Sequence, residues 1–192
     1  MTKTIRHPRR PADDSLEPPR KCGKITLRQN AIRYFVLIMA AVAVAATPMF
    51  SRPTLWQVVR QLGNQAPFTK EKLEAQLGVP LVRKSQNEFF TFFEGGPVKL
   101  ANGVVIGKID LRLRHDGQAH PGFLVLTLAG QCVTVPELRQ HYNHLSLLDV
   151  PRGRSVNEVT SAESTEPWGT ISFALPVTNP TCIGTIAFKP NP

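Results

Sequence analysis

The chain has 192 residues and a formal net charge of +9, with 42% apolar and 19% charged residues, which is an ordinary globular composition. Residues 1–45 hold nine Lys/Arg against three acids, a net +6, which leaves 14 Lys/Arg against 11 acids, a net +3, for the remainder. Because the basic excess precedes the domain and the domain lacks a basic cluster interleaved with aromatics, we predict no nucleic-acid partner.

The first 50 residues have the outline of a targeting region. Residues 1–33 are rich in proline and basic residues and show no apolar periodicity, so we predict a disordered, cytoplasmic basic tail. Tyr34–Ala46 is an uninterrupted apolar run, and we assign residues 34–50 to a membrane-targeting apolar helix. Thirteen helical residues span only about 20 Å, less than the ~30 Å of a hydrocarbon core.

Two interpretations of this segment stay open. The long basic region before it suits an uncleaved signal anchor, whereas Ala43-Val44-Ala45 suits a signal peptide cleaved near Ala45. A buried core helix is a third interpretation, but the tail offers no partners for it. Because the arginines precede the run, we place the tail in the cytoplasm and residues 51–192 outside, in the periplasm. The domain would contact the membrane through residues 34–50 only if the segment is uncleaved.

The cysteines fit an exported domain. Cys132 and Cys182 are the two cysteines that follow the apolar run. In an oxidising compartment we expect them to form a disulfide, which closes a loop of about 50 residues and is worth about 4 kcal/mol in the chain-entropy model. A catalytic thiol is the alternative, and it would need a histidine partner.

The domain begins with two predicted helices. The residues from Leu55 to Leu62 place apolar side chains at helical spacing, and Gly63 would end this helix. A second helix follows Thr69, a good N-cap, with Phe68 and Leu73 at the positions of a hydrophobic staple. Gly78 would supply the left-handed residue after it.

Three strands are predicted next. Phe89–Phe93 is apolar on both faces, which places it centrally in a sheet. Val104–Arg114 alternates, as an antiparallel strand with one solvated face does, and Phe123–Leu128 returns beside it. The alternation assigns one face to Val105, Ile109, Leu111 and Leu113 and the other to Lys108, Asp110, Arg112 and Arg114.

The pattern then restarts. Val133–Leu138 repeats the helix start 65 residues after Phe68, with Thr134 as N-cap and Glu137 completing a capping box. Asn143 stands where Gly78 stood, and strands at Gly169–Leu175 and Cys182–Phe188 follow. We predict an α+β domain of two diverged helix–antiparallel-hairpin units, residues 55–130 and 131–192. They form one antiparallel sheet with helices on one face, unless the similarity of the two pieces is coincidental.

The segment T-K-E-K-L-E-A-Q-L-G-V-P at residues 69–80, followed by a strand pair, supports a family resemblance. It resembles the helix–meander module of the small lipoprotein subunit of the outer-membrane barrel-assembly machinery. A tandem version is similar to the β-lactamase inhibitor protein. The chain departs from the lipoprotein pattern because no cysteine follows the apolar run directly. The resemblance implies a non-enzymatic, protein-binding role in the envelope.

The sequence contains no catalytic or metal-binding motif such as G-x-S-x-G or H-E-x-x-H. The histidines at 115, 120, 141 and 144 lack the spacing of a zinc site, and turn or helix-end positions explain them. Asp110 and Asp116 could be paired carboxylates, but Asp110 shares a strand face with basic residues, as in a solvated charge array. We predict no catalytic residue, no metal and no small-molecule cofactor.

The most suggestive segment is Asp149–Pro167, a long predicted loop. Arg152 and Arg154 flank Gly153 and present two forked donors suited to carboxylate or phosphate groups. Trp168 follows the loop, and arginine beside an exposed tryptophan is typical of a protein interface. We therefore predict a binding site at Arg152, Arg154 and Trp168. Alternatively, the loop is a solvated insertion and Trp168 starts a core strand.

These features favour an exported envelope protein that acts as a non-enzymatic protein-binding or assembly module, with an envelope protein as its partner. The first alternative is a periplasmic inhibitor or immunity-type protein that blocks a toxic or lytic enzyme. The second is an envelope hydrolase that uses the histidines.

Overall fold

A computed structural model describes residues 51–117 and 120–192. The predicted basic tail and the membrane-targeting segment at residues 34–50 lie outside this range. Within it, the fold is α+β, with one antiparallel sheet and three α-helices. No helix in the described ranges is both long enough and apolar enough to cross a lipid bilayer.

The helices begin where their caps predict. Thr54, Thr69 and Thr134 each accept a hydrogen bond from the backbone N–H three residues later, which confirms the two predicted caps at Thr69 and Thr134. Gly78 after the second helix has φ 68°, the predicted left-handed conformation. The helices are α1 (Leu55–Asn64), α2 (Lys70–Leu77) and α3 (Val135–His141).

Two predictions about α3 are wrong. Glu137 does not complete a capping box, because its carboxylate instead accepts a 3.0 Å hydrogen bond from the indole Nε1 of Trp56 in α1. Asn143, which takes the place of the left-handed Gly78 in the predicted repeat, is not left-handed. Among the described non-glycine residues, only Asn102 has a positive φ. The helix ends at His141, and its C-cap Tyr142 is extended, with a φ of −133°.

Gly63 does not end α1, which continues to Asn64. The glycine is buried, and a Cβ built on it would lie 2.6 Å from the indole Nε1 of Trp168. A side chain at position 63 would therefore displace Trp168 from the surface of α1. The sequence suggests that Gly63 is a helix terminator, but the structure shows that a glycine is needed there because Trp168 packs directly on the helix backbone.

The sheet has more strands than the sequence predicts. Its order is β1-β2-β4-β5-β9-β8-β7-β6, all antiparallel, and the short β3 pairs with β4. The strands are β1 (Val82–Gln86), β2 (Phe90–Gly95), β3 (Val98–Lys99), β4 (Val104–Arg114), β5 (Phe123–Gly130), β6 (Ser146–Asp149), β7 (Val159–Glu166), β8 (Gly169–Pro176) and β9 (Thr185–Pro190).

In both halves the chain runs from an edge of the sheet to its centre. The first half follows its helices with β1, β2, β4 and β5, and the second follows α3 with β6, β7, β8 and β9. The halves meet where β5 pairs with β9, through Leu124 opposite Phe188 and Leu126 opposite Ile186. Each half is thus a meander of four main strands, where the sequence predicts a hairpin or meander of two or three.

Two strand predictions need correction. The run at residues 89–93 forms β2, which lies next to the edge strand β1 rather than at the centre. Its Phe92 and Phe93 do point to opposite faces, because they pair with Arg112 and Leu111. In β4, the register shifts between Ile106 and Lys108, a bulge that changes the phase of the alternation.

Because of that bulge, Val105 is not on the face of Ile109 and Leu111, as predicted. The buried residues of β4 before the bulge are Val104 and Ile106 instead. Lys108 after the bulge keeps its predicted orientation, on the face of Asp110 and Arg112.

The core lies between the helices and one face of the sheet, which we call the closed face. Four strands place fully buried pairs there, and these pack in one cluster with the apolar sides of all three helices. The pairs are Ile109 and Leu111 in β4, Leu124 and Leu126 in β5, Ile171 and Phe173 in β8, and Ile186 and Phe188 in β9.

Cys132 and Cys182 are joined in a disulfide, with the sulfur atoms 2.01 Å apart. A bridge between Thr134 and Cys182 and a hydrogen bond from Ile183 N–H to the Val133 carbonyl accompany it. The start of α3 is therefore fastened to the segment that enters β9.

Candidate functional site

Much of the predicted loop at Asp149–Pro167 is strand, so that prediction is wrong. Residue 149 ends β6, and Val159–Glu166 forms β7. Only residues 150–158 remain as a loop, between two paired strands. The segment reads as a loop because β6 is only four residues long and β7, with sequence VTSAESTE, lacks a run of apolar residues.

This loop is closed by an internal carboxylate. The backbone N–H groups of Arg152, Gly153 and Arg154 donate to Glu158 at 2.5, 2.8 and 2.8 Å. These bonds, led by the one from Arg154, lower the pKa of Glu158 from its ordinary value. Both arginine side chains are exposed, and among the described residues neither guanidinium has a hydrogen-bond or ion-pair partner.

Trp168 is not beside these arginines. It lies in the turn between β7 and β8, whereas Arg152 and Arg154 lie before β7 begins. The eight residues of β7 span about 23 Å at ~3.3 Å per residue. The structure therefore does not bring the three predicted binding residues together.

Trp168 instead lines a cleft between α1, the end of α3 and its own turn. The indole packs on Phe188 with ring centroids 5.7 Å apart, and the cleft has a volume of about 510 Å³. His141 stacks on Trp56 at 4.4 Å and forms part of the wall. Trp168 is therefore partly core and partly cleft wall, so both interpretations of it were incomplete.

The polar groups of the cleft come from both sides. Arg60 of α1 and Glu166 of β7 line it together with Tyr142. Burial raises the pKa of Tyr142 to about 12, and the Glu166 carboxylate adds to the rise. The phenol therefore stays neutral at physiological pH, and its ring packs on Phe173.

The second face of the sheet, which we call the open face, has no helix of the described chain over it. Its side chains are the alternates of those on the closed face, and most of them are partly exposed. In β4 they are Lys108, Asp110, Arg112 and Arg114, the solvated face that the alternation predicts after the bulge.

Arginine and phenylalanine interleave on the first half of this face, so the sequence-based premise that the domain lacks basic residues interleaved with aromatics is wrong. Arg112 lies between two rings, 5.7 Å from the centroid of Phe92 and 5.4 Å from that of Phe123. Arg114 lies 5.9 Å from Phe89 and 6.0 Å from Phe90. Guanidinium groups at these distances are attracted by the ring faces, so the side chains hold one another in place. We call these six residues the arginine–phenylalanine cluster.

Carboxylates neutralise the basic groups of the open face. Arg112 pairs with Asp110 at 3.1 Å, and Arg114 with Asp116 at 2.6 Å. Lys108 pairs with Glu94 at 2.6 Å, a hydrogen bond that raises the pKa of the lysine. The predicted charge array is therefore present, and it leaves the aromatic rings as the distinctive chemistry of this half.

The second half of the open face carries small side chains. Val125 of β5 is followed across the sheet by Ala187, Ser172 and Glu163, and Thr127 by Thr185, Ala174 and Ser161. The surface is therefore lower over β8 and β9 than over β2 and β4. A partner that fits both halves would need to protrude over the small residues.

The histidines do not converge. His115 hydrogen-bonds Gln86, and His120 accepts from the N–H of Gly122. His141 lies on Trp56. Within residues 51–117 and 120–192, no three His, Cys, Asp or Glu side chains are grouped so that they could hold a metal ion.

Comparison with protein-family models, curated proteins and solved structures finds no match for this chain.

The arginine–phenylalanine cluster was not predicted, although its parts were. The sequence indicated the exposed face of β4 and the aromatic run of β2 separately. Only the pairing of Phe92 with Arg112 and of Arg112 with Phe123 shows that they meet. The register between distant strands determines this contact, and that register could not be predicted from the sequence alone.

Proposed function

We propose that this protein is a non-enzymatic protein-binding module exported to a bacterial-type envelope, and that its open face binds a folded partner protein. One observation carries the proposal: the sheet is packed by helices on one face and bears preordered aromatic and arginine side chains on the other. Arginine and aromatic residues dominate the binding energy of protein interfaces.

The dimensions support a protein-sized partner. Eight strands at ~4.8 Å spacing and about six residues each give a face of roughly 34 by 20 Å, or about 700 Å². Each partner of a standard interface contributes about 800 Å². Because the basic groups of β4 are already paired, the surface complementary to the first half is apolar, and a protrusion would fit the small residues of β8 and β9.

The arrangement of the two meanders supports a tandem origin. Each half begins at a threonine-capped helix and runs inward to the centre of the sheet, and Phe68 and Leu73 correspond to the buried Val133 and Leu138. We propose that the halves are diverged copies of one helix–meander unit. The resemblance to the barrel-assembly lipoprotein and the β-lactamase inhibitor protein is consistent with this.

Export is supported by the basic tail and by the apolar run at residues 34–50, together with a disulfide, which persists in an oxidising compartment. Sequencing the N-terminus of the mature protein tests it. A start just after Ala45 means cleavage, and an intact Met1 in the membrane fraction means an anchor. Two free thiols in a protein of the soluble cytoplasm would contradict export.

Site-specific photocrosslinking in the native envelope tests the binding face. A crosslinker at Thr127 on the open face should give a defined adduct, whereas one at Glu71 on the outer side of α2 should not. Changing Arg112 and Phe123 together to serine should remove the adduct. The matched control, Glu71→Ala with Arg139→Ala on the helical side, should keep it.

The identity of the adduct separates the two kinds of binding protein. A multisubunit complex supports an assembly module. A single enzyme whose turnover falls when the purified protein is added supports an inhibitor. Equal adducts from both crosslinker positions, or an adduct that survives the serine changes, would show that the open face is not the binding surface.

A further inference from the structure

The exposed apolar side chains of the domain are concentrated at one edge of the sheet. Six large hydrophobic residues of the described chain are strongly exposed, and four of them lie between residues 147 and 156. These are Leu147, Leu148, Val150 and Val156, with exposures of 67%, 58%, 49% and 72%. They belong to edge strand β6 and the loop that follows it.

Strand β6 is paired on one side only. It hydrogen-bonds to β7 and ends the strand order, so no strand of the described chain lies on its other side. The opposite edge, β1, carries Arg83 and Lys84, charges that discourage pairing with another strand. On β6 the corresponding positions are Leu147 and Leu148, so only the register shift at Leu148 and the charge of Asp149 protect this edge.

The loop after β6 adds two cations beside the apolar edge. Glu158 already occupies the backbone donors of residues 152–154, which fixes the loop without using either arginine side chain. Both guanidinium groups face solvent and suit a carboxylate, to which each can give two parallel hydrogen bonds. The edge therefore combines strand-pairing groups, apolar contacts and an anion-binding end.

We propose that β6 receives an extended segment of a partner protein as an added strand, and that Arg152 and Arg154 bind a carboxylate at one end of that segment. Main-chain hydrogen bonds to β6 would give affinity, and contacts with the exposed Leu147 and Leu148 would favour apolar residues. The carboxylate is that of an Asp or Glu side chain of the segment.

Charge complementarity excludes a second copy of this chain as the occupant. Antiparallel pairing of two β6 strands would bring the arginine loop of one copy beside residues 142–145 of the other, Tyr-Asn-His-Leu, which contain no carboxylate. Pairing β6 with β1 of another copy would set the apolar Leu147 and Leu148 against the charged Arg83 and Lys84. An acidic, otherwise apolar segment satisfies both features of the edge.

The test uses synthetic peptides and the full chain. The probe is an eight-residue peptide with blocked ends, a central valine–threonine alternation and two aspartates at each end, so that either strand direction brings a pair of carboxylates beside the loop. Its match carries asparagines in place of the aspartates. The aspartate peptide should bind at least tenfold more tightly, as measured by calorimetry. Arg152→Ala with Arg154→Ala should remove that difference and leave the weaker binding of the asparagine peptide unchanged.

The strand contact has its own test. Leu148→Pro in β6 should abolish binding of both peptides, whereas the matched Lys84→Pro in β1 should not. Amide protection from hydrogen exchange, measured with and without peptide, should rise at residues 146–149. The domain's unfolding transition checks that each proline variant is folded, and crosslinking of the peptide to β6 of the parent protein gives a readout that needs no variant.

Three results would overturn the proposal: equal binding of the aspartate and asparagine peptides, no binding of either, or a dimer that Leu148→Asp dissociates. The inference does not depend on the open face. Serine at Arg112 and Phe123 should leave peptide binding intact, so failure of one proposal is distinguishable from failure of the other.

Discussion

The two faces of the sheet are made by alternate residues of the same strands, yet they order their side chains by different forces. On the closed face, Phe173 and its neighbours are removed from water by three helices, so stability depends on volume and close packing. On the open face, Arg112 is held by two rings and a carboxylate while it stays partly exposed. The closed face therefore provides most of the stability of the fold. The open face presents ordered side chains that contribute little to that stability.

The largest expected difference between the two faces is the loss of stability caused by a cavity in the closed face. Phe173 is fully buried and lies 4.8 Å from Tyr142 and 6.4 Å from Trp56, between ring centroids. We expect Phe173→Ala to lower the free energy of unfolding by about 3–5 kcal/mol in chemical denaturation. Ser172→Ala, the adjacent residue on the open face, is the matched control and should change it by less than about 0.5 kcal/mol. Similar losses for both would remove the distinction between the faces.

The next effect concerns the covalent bond between the helix layer and the sheet. Replacing Cys132 and Cys182 together by serine should lower the unfolding free energy by about 2–4 kcal/mol, because the open chain gains conformational entropy. The same loss should follow from adding reductant to the parent protein, and reductant should not change the serine variant. A reductant effect on the variant would indicate another cause.

Removing an arginine from the open face should have a smaller effect on stability. Arg112→Ala loses two cation–π contacts and an exposed ion pair, together about 1 kcal/mol or less. The same denaturation experiment measures it, and Arg112→Lys should recover only part of the loss because ammonium lacks the planar face. A loss as large as that of Phe173→Ala would show that the open face is also part of the stabilising core.

The smallest global effect is expected at the loop beside β6. Glu158→Gln should leave the unfolding transition unchanged but increase proteolytic cleavage within residues 150–158. Since the pKa of Glu158 is lowered from its ordinary 4.5, its contribution is complete above about pH 4.5 and is lost as pH falls through the lowered value. The parent loop should therefore become protease-sensitive only on acidification, and the glutamine variant should be sensitive at every pH tested.

The sequence predicts elements that depend on local chemistry. The caps at Thr69 and Thr134 and the left-handed Gly78 are confirmed because each is decided within a few residues. Glu137 shows the limit of this logic. Its spacing from Thr134 indicates a capping box, but a tryptophan 81 residues away in the chain takes its carboxylate.

The closed face of β4 shows a second limit. Alternation locates it correctly from Ile109 onward, while the bulge at Gly107 reverses the assignment of Val105. Likewise, β6 and β7 escape prediction because a short strand and a polar strand owe their structure to the neighbour they pair with. The candidate surfaces also depend on strand pairing. Arg112 lies beside Phe123 because β4 pairs with β5, and Trp168 lies far from Arg152 because β7 separates them.

Strand β9 is the last strand along the described chain, but it lies in the middle of the sheet. It lies between β5 and β8, and its contacts with β5 join residues 64 positions apart, as between Leu124 and Phe188. Contacts of such long sequence separation form slowly, because a large loop must close before they repay its entropy. The sheet is therefore complete only once β9, the last strand of the described chain, is in place. Under the export proposed above, with the tail in the cytoplasm, the domain would stay incomplete until β9 had crossed.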